Sequence, residues 1–269
     1  MTDTETTVPF VLTERRGHIL IASLNRPERL NAVGQGMEAE LGRVLREAGS
    51  DHEIRAIVLR AEGRAFCAGG DVKVMAAGPG DSQSAAARSL NTLHGAEIVE
   101  AIHAVPQPIV AAVQGFAMGL GATMALLSDV VIAAEDAVFA DTHVVVGLVA
   151  GDGGAVVWPL NMSLARARWH LMTGEWLRGA AAAEIGLILK AVPASDLLDE
   201  AISHAEKLAS LSPLAVQGTK ATIKQIVRDR IDLVLEYGLL REGIAAAGED
   251  ATEAARAFQE KRQPNFRYA

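Results

Sequence analysis

Two segments with the same local design constrain what this chain can fold into. Each has an apolar strand-like run, a turn of small residues and then the start of a helix, at residues 65–71 (AFCAGGD) and 114–121 (QGFAMGLG). Glycine in such a turn lets the backbone approach a ligand and leaves N–H groups pointing outward. A helix N-terminus adds partial positive charge at the same place. Two turns of this kind that converge on one point predict a backbone oxyanion hole.

The apolar pattern around the two turns predicts alternating strands and helices. Strands are predicted over 17–24, 54–60, 109–113 and 130–134, and helices from residue 37, over 88–104 and over 121–127. This alternation indicates an α/β layered domain. The composition of residues 76–87 predicts a mobile loop that lines a site. After about residue 195 the pattern becomes helical, over 197–211, 213–227, 231–247 and 251–259. We therefore expect a core at 10–194 and a helical C-terminal subdomain at 195–269.

Composition excludes several classes of function. The chain has 269 residues, half of them apolar, and a formal net charge of −8, which argues against a nucleic-acid footprint. The single cysteine, Cys67, cannot form an intramolecular disulfide, which fits a reducing cytoplasm. The N-terminus lacks the pattern of a signal peptide. The apolar stretch 101–128 is interrupted by proline, glutamine and glycine, so we expect a buried strand, a turn and a buried helix there rather than a membrane span.

Taken in order, the motifs of the whole chain resemble the crotonase superfamily, the enoyl-CoA hydratase/isomerase family. The resemblance covers about residues 15–266. The matching pieces are NRPERLNA (25–32), IRAIVLR with GRAFCAGGDVKVM (54–75), PQPIVAAVQGFAMGLGATMALLSD (106–129), FADTHVVVGLVAGDGG (139–154), LMTGEWLRGAAAAEIGLILKAVP (171–193) and ATEAARAFQEKRQPNF (251–266).

The resemblance implies a fold, an assembly and a substrate. It implies ββα turns wound into a spiral, with a helical tail that packs homotrimers, often paired into hexamers. The expected substrate is an acyl-CoA, whose coenzyme A is part of the substrate; no separate cofactor, metal, nucleic acid or membrane is expected. By position, the oxyanion donors are the backbone N–H groups of Gly70 and Leu120, although the family commonly has glycine at the second position. The residues expected along the coenzyme A are Arg26, Leu30, Ala32, Ala68, Gly70, Asp71, Val72, Lys73 and, from an adjacent subunit, Lys261.

The chain departs from a hydratase of this family where the chemistry would occur. Such an enzyme uses two glutamates around one water, one to take a proton and one to give it. Here those positions are Thr123 and His143. Threonine can only hydrogen-bond, whereas an imidazole with a pKa of about 6.5 can act as acid or base at neutral pH. His143 is therefore the main candidate for proton transfer, and its structural alternative is a packed histidine beside the apolar run VVVGLV.

Asp152 lies nine residues after His143, in the run Gly151–Gly154. Aspartate beside glycine is a common turn pair, which is the structural interpretation. The functional interpretation is that the chain doubles back and Asp152 orients His143, fixing its tautomer. This spacing is similar to a β-diketone hydrolase branch of the superfamily, to which a camphor-derived diketone hydrolase belongs.

Three hypotheses for function follow. The first is an acyl-CoA enzyme of hydratase/isomerase type in which His143 transfers protons over an enolate. The second is a hydrolase of C–C bonds in β-dicarbonyl compounds that uses a His143–Asp152 dyad. The third is a non-catalytic homologue that binds acyl-CoA.

Overall fold

A six-stranded sheet forms the centre of the chain. The computed structural model describes residues 8–34, 36–70 and 94–267. Within them the strand order is β1-β2-β3-β4-β6-β9, antiparallel between β1 and β2 and parallel elsewhere. The strands are β1 (Val11–Arg16), β2 (Ile19–Leu24), β3 (Ala56–Ala61), β4 (Ile109–Val113), β6 (Val130–Ala134) and β9 (Lys190–Val192). The run IVAAV of β4 is buried throughout, as expected for a parallel strand covered on both faces.

A small second sheet supports the turn region. Its order is β5 (Phe116–Met118), β7 (Val138–Ala140) and β8 (Leu177–Arg178). β5 lies inside the segment that the sequence predicts as a plain turn. Three residues carry almost no local strand signal, and β5 is extended because it pairs in parallel with β7, farther along the chain.

Helices cover the sheets and form the C-terminal part. They are α1 (Met37–Ser50), α2 (His94–Ala104), α3 (Leu120–Leu127), α4 (Gly154–Asn161), α5 (Leu164–Thr173), α6 (Gly179–Glu184), α7 (Leu197–Ser210), α8 (Pro213–Ala246) and α9 (Glu249–Gln259). Short 3-10 turns occur at Pro27–Arg29 and His143–Val146. This mixed α/β architecture confirms the predicted fold class. The predicted loop 76–87 and the first residues of the predicted helix 88–104 lie outside the described residues.

The C-terminal helices differ from the prediction in one respect. Residues 213–227 and 231–247 form a single helix, α8, because the charged residues between them include no helix breaker. The Lys220 ammonium ties this helix to the sheet, donating to the Asp129 carboxylate at 2.6 Å and to the Gln107 carbonyl at 2.8 Å. α7 packs directly on β3, β4 and β6, so the first helix of the predicted subdomain covers the central sheet.

The apolar stretch 101–128 contains the predicted buried strand, β4, and the predicted buried helix, α3, together with the end of α2 and the unpredicted strand β5. Among the helices that the structure describes, none combines the length and the apolar character needed to cross a membrane.

Candidate active site

The two glycine turns pack against each other. The Phe116 carbonyl accepts the amide of Cys67, and the Cys67 carbonyl accepts the amide of Met118, both at 2.9 Å. A Cβ at Gly121 would overlap the Cys67 carbonyl, and a Cβ at Gly69 would lie 2.7 Å from the Met118 carbonyl oxygen. The turns can approach this closely only because both positions are glycine.

This packing brings together the residues that precede the two predicted donors, since a Cβ at Gly69 would lie 3.9 Å from the Gly119 Cα. Leu120 is the first residue of α3, so its N–H has no partner within the helix. Gly70 is exposed at the end of the first turn and pairs with Val33 through an isolated β-bridge. In the described part of the chain, neither amide donates a hydrogen bond to another residue. Both are therefore free to point at a carbonyl oxygen bound between the turns.

His143 lies directly against the second turn. A Cβ added at Gly119 would be 3.1 Å from Cε1 of the His143 ring, and Gly119 has a φ of +49°, which favours glycine. Gly119 immediately precedes Leu120, so the imidazole lies beside the predicted donor. The His143 side chain is only 12% exposed.

Two carboxylates hold the His143 ring, one on each nitrogen. Asp141 Oδ1 is 2.6 Å from Nδ1, and Asp152 Oδ2 is 3.1 Å from Nε2. The chain does double back, so the predicted contact between His143 and Asp152 is present. Burial by itself lowers the pKa of His143, but the charges of Asp152 and Asp141 outweigh it and hold that pKa well above its ordinary value. Because a carboxylate only accepts hydrogen bonds, the doubly protonated imidazolium is the form that satisfies both contacts.

A third carboxyl group, that of Glu242, reaches the same ring from α8. Its Oε1 is 4.0 Å from His143 Nε2. Burial raises the pKa of Glu242 to about 8, with the charge of Asp152 adding to the effect and that of His143 opposing it. The backbones of Gly151 and Gly238 touch, since a Cβ on Gly238 would lie 3.0 Å from the Gly151 carbonyl oxygen. This contact brings Glu242, one helical turn after Gly238, over Asp152.

Sequence reasoning missed Asp141 and Glu242. Asp141 precedes His143 by two residues, and this Asp-x-His spacing was a usable signal. Glu242 shares a face of α8 with Gly238, four residues earlier, and a glutamate on the glycine face of a helix is a weak sign of close packing. Nothing local connects Glu242 to Asp152.

Thr123 is fully buried beside the cluster, on the second turn of α3. Its methyl carbon would be 2.5 Å from a Cβ at Gly153, the residue after Asp152. Its hydroxyl oxygen has no hydrogen-bond partner among the described residues. The structure therefore places Thr123 against the turn that carries Asp152.

The residues expected along the coenzyme A are only partly brought together. The Leu30 carbonyl accepts the amide of Ala68 at 3.0 Å, which joins the 30–33 segment to the first turn. The Arg26 guanidinium is buried and donates to the carbonyl of Ala32 at 2.7 Å, so it holds this segment from inside. Lys261 is exposed just past α9. The remaining predicted contacts, Asp71, Val72 and Lys73, lie outside the described residues.

The cluster has donor atoms suited to a cation. One ligand atom from each of Asp141, His143 and Asp152 lies within 4.8 Å of the others. However, the two carboxylates flank opposite nitrogens of one ring, and a single ion cannot replace both contacts. The imidazolium itself supplies the positive charge between them.

Comparison with known proteins identifies the family. The family model for enoyl-CoA hydratase/isomerase matches residues 14–268, nearly the whole chain. The chain belongs to the enoyl-CoA hydratase/isomerase family of the crotonase superfamily. The β-diketone hydrolase branch has no such support.

Relatives of known name lie within the same family. The (E)-benzylidenesuccinyl-CoA hydratase of Thauera aromatica is 36% identical over 264 residues, covering 96% of this chain and 99% of that protein. The 1,2-epoxyphenylacetyl-CoA isomerase of Escherichia coli is 32% identical over 257 residues, covering 96% of this chain and 98% of that protein. A crystal structure of an enoyl-CoA hydratase/isomerase from Mycobacterium paratuberculosis aligns with a TM-score of 0.85 at 35% identity, covering 93% of this chain and 99% of that one. Members of this family thus include both hydratases and isomerases.

Proposed function

We propose that this enoyl-CoA hydratase/isomerase family member acts on an acyl-CoA thioester through an enolate. The backbone N–H groups of Gly70 and Leu120 hold the enolate oxygen, and the cluster around His143 moves the protons. The observation that carries the proposal is the contact of the His143 ring with Gly119, immediately before Leu120. It supports the proposal because the cluster lies beside the residue that precedes the proposed donor, Leu120.

The donors fit this chemistry because they are fixed before the reaction. Backbone amides in packed turns need no reorganisation when the thioester oxygen becomes negative, and removing one such donor typically costs about 10²–10³ in rate. The departure from glycine at Leu120 leaves its donor intact, because the donor is backbone. The buried Leu120 side chain supports the packing of α3.

The proposed enzyme needs no cofactor of its own, since the coenzyme A belongs to the substrate. The 30–33 segment joined to Ala68 supports one wall for it. Lys73 and Lys261 stay predicted phosphate contacts.

A second candidate function is hydrolysis of a C–C bond in a β-dicarbonyl compound. The observation that favours it is the 3.1 Å contact between His143 Nε2 and Asp152. Here too an enolate is the leaving group, so the oxyanion donors would serve the same purpose.

A turnover panel tests both functions. The protein is assayed for hydration and double-bond isomerisation of aliphatic and aromatic enoyl-CoA esters, and for cleavage of cyclic β-diketones, beside the variants His143→Ala and His52→Ala. His52 is exposed and serves as the matched control. We expect turnover of thioesters that falls by about 10²–10⁴ in His143→Ala only, because the loss of the ring disrupts the cluster that moves the protons. Unchanged turnover in His143→Ala would remove the cluster from the mechanism, cleavage of diketones alone would favour the second function, and no turnover of any substrate would favour a binding homologue.

We also propose that the protein assembles as a homotrimer or a pair of trimers. α8 carries exposed apolar side chains that a partner could cover, among them Leu233, Tyr237, Leu240 and Ile244. Light scattering coupled to size-exclusion chromatography measures the mass directly. A monomer at micromolar concentration would contradict this assembly.

A further inference from the structure

The contacts of His143 raise a problem for the proton transfer assigned to it. Asp141 occupies Nδ1 at 2.6 Å and Asp152 occupies Nε2 at 3.1 Å. An imidazolium held in this way has no lone pair with which to take a proton from water or from carbon. It could release a proton only by giving up one of two charge-assisted hydrogen bonds, which are the strong ones. The ring is therefore better suited to holding charge than to exchanging protons.

The carboxyl groups of Asp152 and Glu242, near Nε2, instead have oxygen atoms that remain available for hydrogen bonding. Asp152 Oδ1 and Glu242 Oε2 are both buried and lack a hydrogen-bond partner among the described residues. Buried polar atoms without partners are uncommon and call for an explanation. A substrate water bound between the two carboxyl groups would give these oxygens a hydrogen-bond partner.

Close backbone packing holds the Asp152 and Glu242 carboxyl groups near each other. Gly151, which precedes Asp152, touches Gly238, which lies one helical turn before Glu242. A Cβ on Gly151 would be 2.8 Å from Glu242 Oε2, so Glu242 reaches Asp152 across a gap that only glycine leaves. A Cβ on Gly95, in α2, would be 2.7 Å from the Cβ of Asp152, so Asp152 also packs closely against α2.

We propose that Asp152 and Glu242 form the acid–base pair of this site, with Asp152 taking the proton from water, Glu242 giving one to carbon, and His143 as the fixed cation beside them. The inference rests on the proposed enolate function and assigns its proton carriers. It replaces the two glutamates of a hydratase with carboxyl groups from two other places in the chain, the turn before α4 and helix α8.

The step balances for hydration of an enoyl thioester. The oxygen of water forms a bond to Cβ while one of its O–H bonds breaks, and that proton passes to the Asp152 carboxylate. The electron pair of the double bond moves to the thioester oxygen, which the amides of Gly70 and Leu120 hold as an enolate. The enolate then collapses, and its Cα takes the proton of the Glu242 carboxyl group. Transfer of one proton from Asp152 to Glu242 restores the starting state.

The charges around the pair favour unequal protonation. Burial raises the pKa of Glu242, and the charges of Asp152 and Asp141 add to this rise. The charge of His143 and the contact with the Gly151 amide oppose it. Asp152 lies closer to the imidazolium, at 3.1 Å against 4.0 Å for Glu242. Glu242 is therefore the carboxyl group of the pair that holds a proton near neutral pH. Pairs whose environments separate their protonation in this way are the usual sign of an acid and a base.

The experiment compares Asp152→Asn and Glu242→Gln with the matched controls Asp136→Asn and Glu236→Gln. Asp136 and Glu236 are exposed, and Glu236 lies on the same helix as Glu242. Two quantities are measured from pH 5 to pH 10: the rate of enoyl-CoA hydration, and the exchange of the α-hydrogen of a saturated acyl-CoA with D₂O. Circular dichroism verifies the fold of each variant, and Glu242→Gln alone decides the matter if Asp152→Asn does not fold.

We expect both variants to lose about 10²–10⁴ in hydration rate and the controls to lose none. We also expect the wild-type rate to fall as the pH rises through about 8, where Glu242 loses its proton, and this fall to be absent from the residual activity of Glu242→Gln. Glu242→Gln with the rate and pH profile of the wild type would overturn the pair while leaving the enolate function intact. Wild-type protein with neither hydration nor exchange on any thioester would overturn the proposed function and the pair with it.

Discussion

Replacing Glu242 by glutamine should abolish a loss of stability that the wild type undergoes as the pH rises from about 4 through about 8. The Glu242 carboxyl group is buried and its pKa is raised to about 8, chiefly by burial and then by the charge of Asp152. In the unfolded chain it would titrate at about 4.3. The folded state therefore binds this proton more tightly than the unfolded state does. The stability that the group contributes is complete below about pH 4 and is lost as the pH rises through 8.

The magnitude follows from the linkage between protonation and folding. Each pH unit over which the folded state holds a proton that the unfolded state has released changes the free energy of unfolding by about 1.4 kcal/mol. Between pH 6 and pH 9, Glu242 holds that proton for about two of the three units. The wild type should therefore lose about 2–3 kcal/mol over this interval that Glu242→Gln does not lose. Contributions from groups that do not interact with Glu242 are the same in both proteins and cancel in the difference.

Urea unfolding at fixed protein concentration, followed by circular dichroism at several pH values, measures this difference. The concentration must be fixed because the stability of an oligomer depends on it. Glu236→Gln, an exposed change on the same helix, should give a curve parallel to that of the wild type. Parallel curves for the wild type and Glu242→Gln would refute the reasoning, because they would mean that Glu242 is already ionised at pH 6.

Three further outcomes check the packing. A Cβ at Gly154 would overlap Asp141 Oδ2, so Gly154→Ala should lower the free energy of unfolding by about 1–3 kcal/mol in urea titrations, and an unchanged midpoint would contradict this. Lys220→Met leaves the Asp129 carboxylate without its 2.6 Å partner and should lower the free energy of unfolding by about 3 kcal/mol in the same assay. No change would mean that the ion pair is dispensable. Burial raises the pKa of Cys67 to about 12, so a thiol reagent should label it only after unfolding, and rapid labelling of native protein would be the opposite result.

The parts of the fold that sequence predicts well are those whose signal is local. Strands β4 and β6 coincide with the predicted runs 109–113 and 130–134, because each is a short apolar run bounded by turn residues. The helix after the second turn starts one residue earlier than predicted, at Leu120. β5 was missed because its three residues are extended by pairing with β7, which no local pattern reveals.

The sequence predicts those parts of the candidate site that come from one short stretch of the chain. His143 and Asp152 are close in sequence, and the doubling back that joins them was foreseeable from the glycines around Asp152. Glu242 lies far along the chain and reaches the cluster only through the packing of Gly238 on Gly151. Periodicity along α8 marks the position as buried but says nothing about the residue it contacts.

On the proposed function, the charge of the cluster explains how the site dispenses with the usual glutamates. A pair of glutamates that shares one proton carries a charge of −1. The cluster here carries the same charge, because the Asp141 and Asp152 carboxylates are offset by one imidazolium and Glu242 is neutral below about pH 8. The proposed oxyanion donors would thus face a cluster of the same net charge in either arrangement. On this reasoning Asp141 is a positioning residue: its contact with Nδ1 holds His143 in the charged form, and the charged ring lies 3.1 Å from the Asp152 carboxylate.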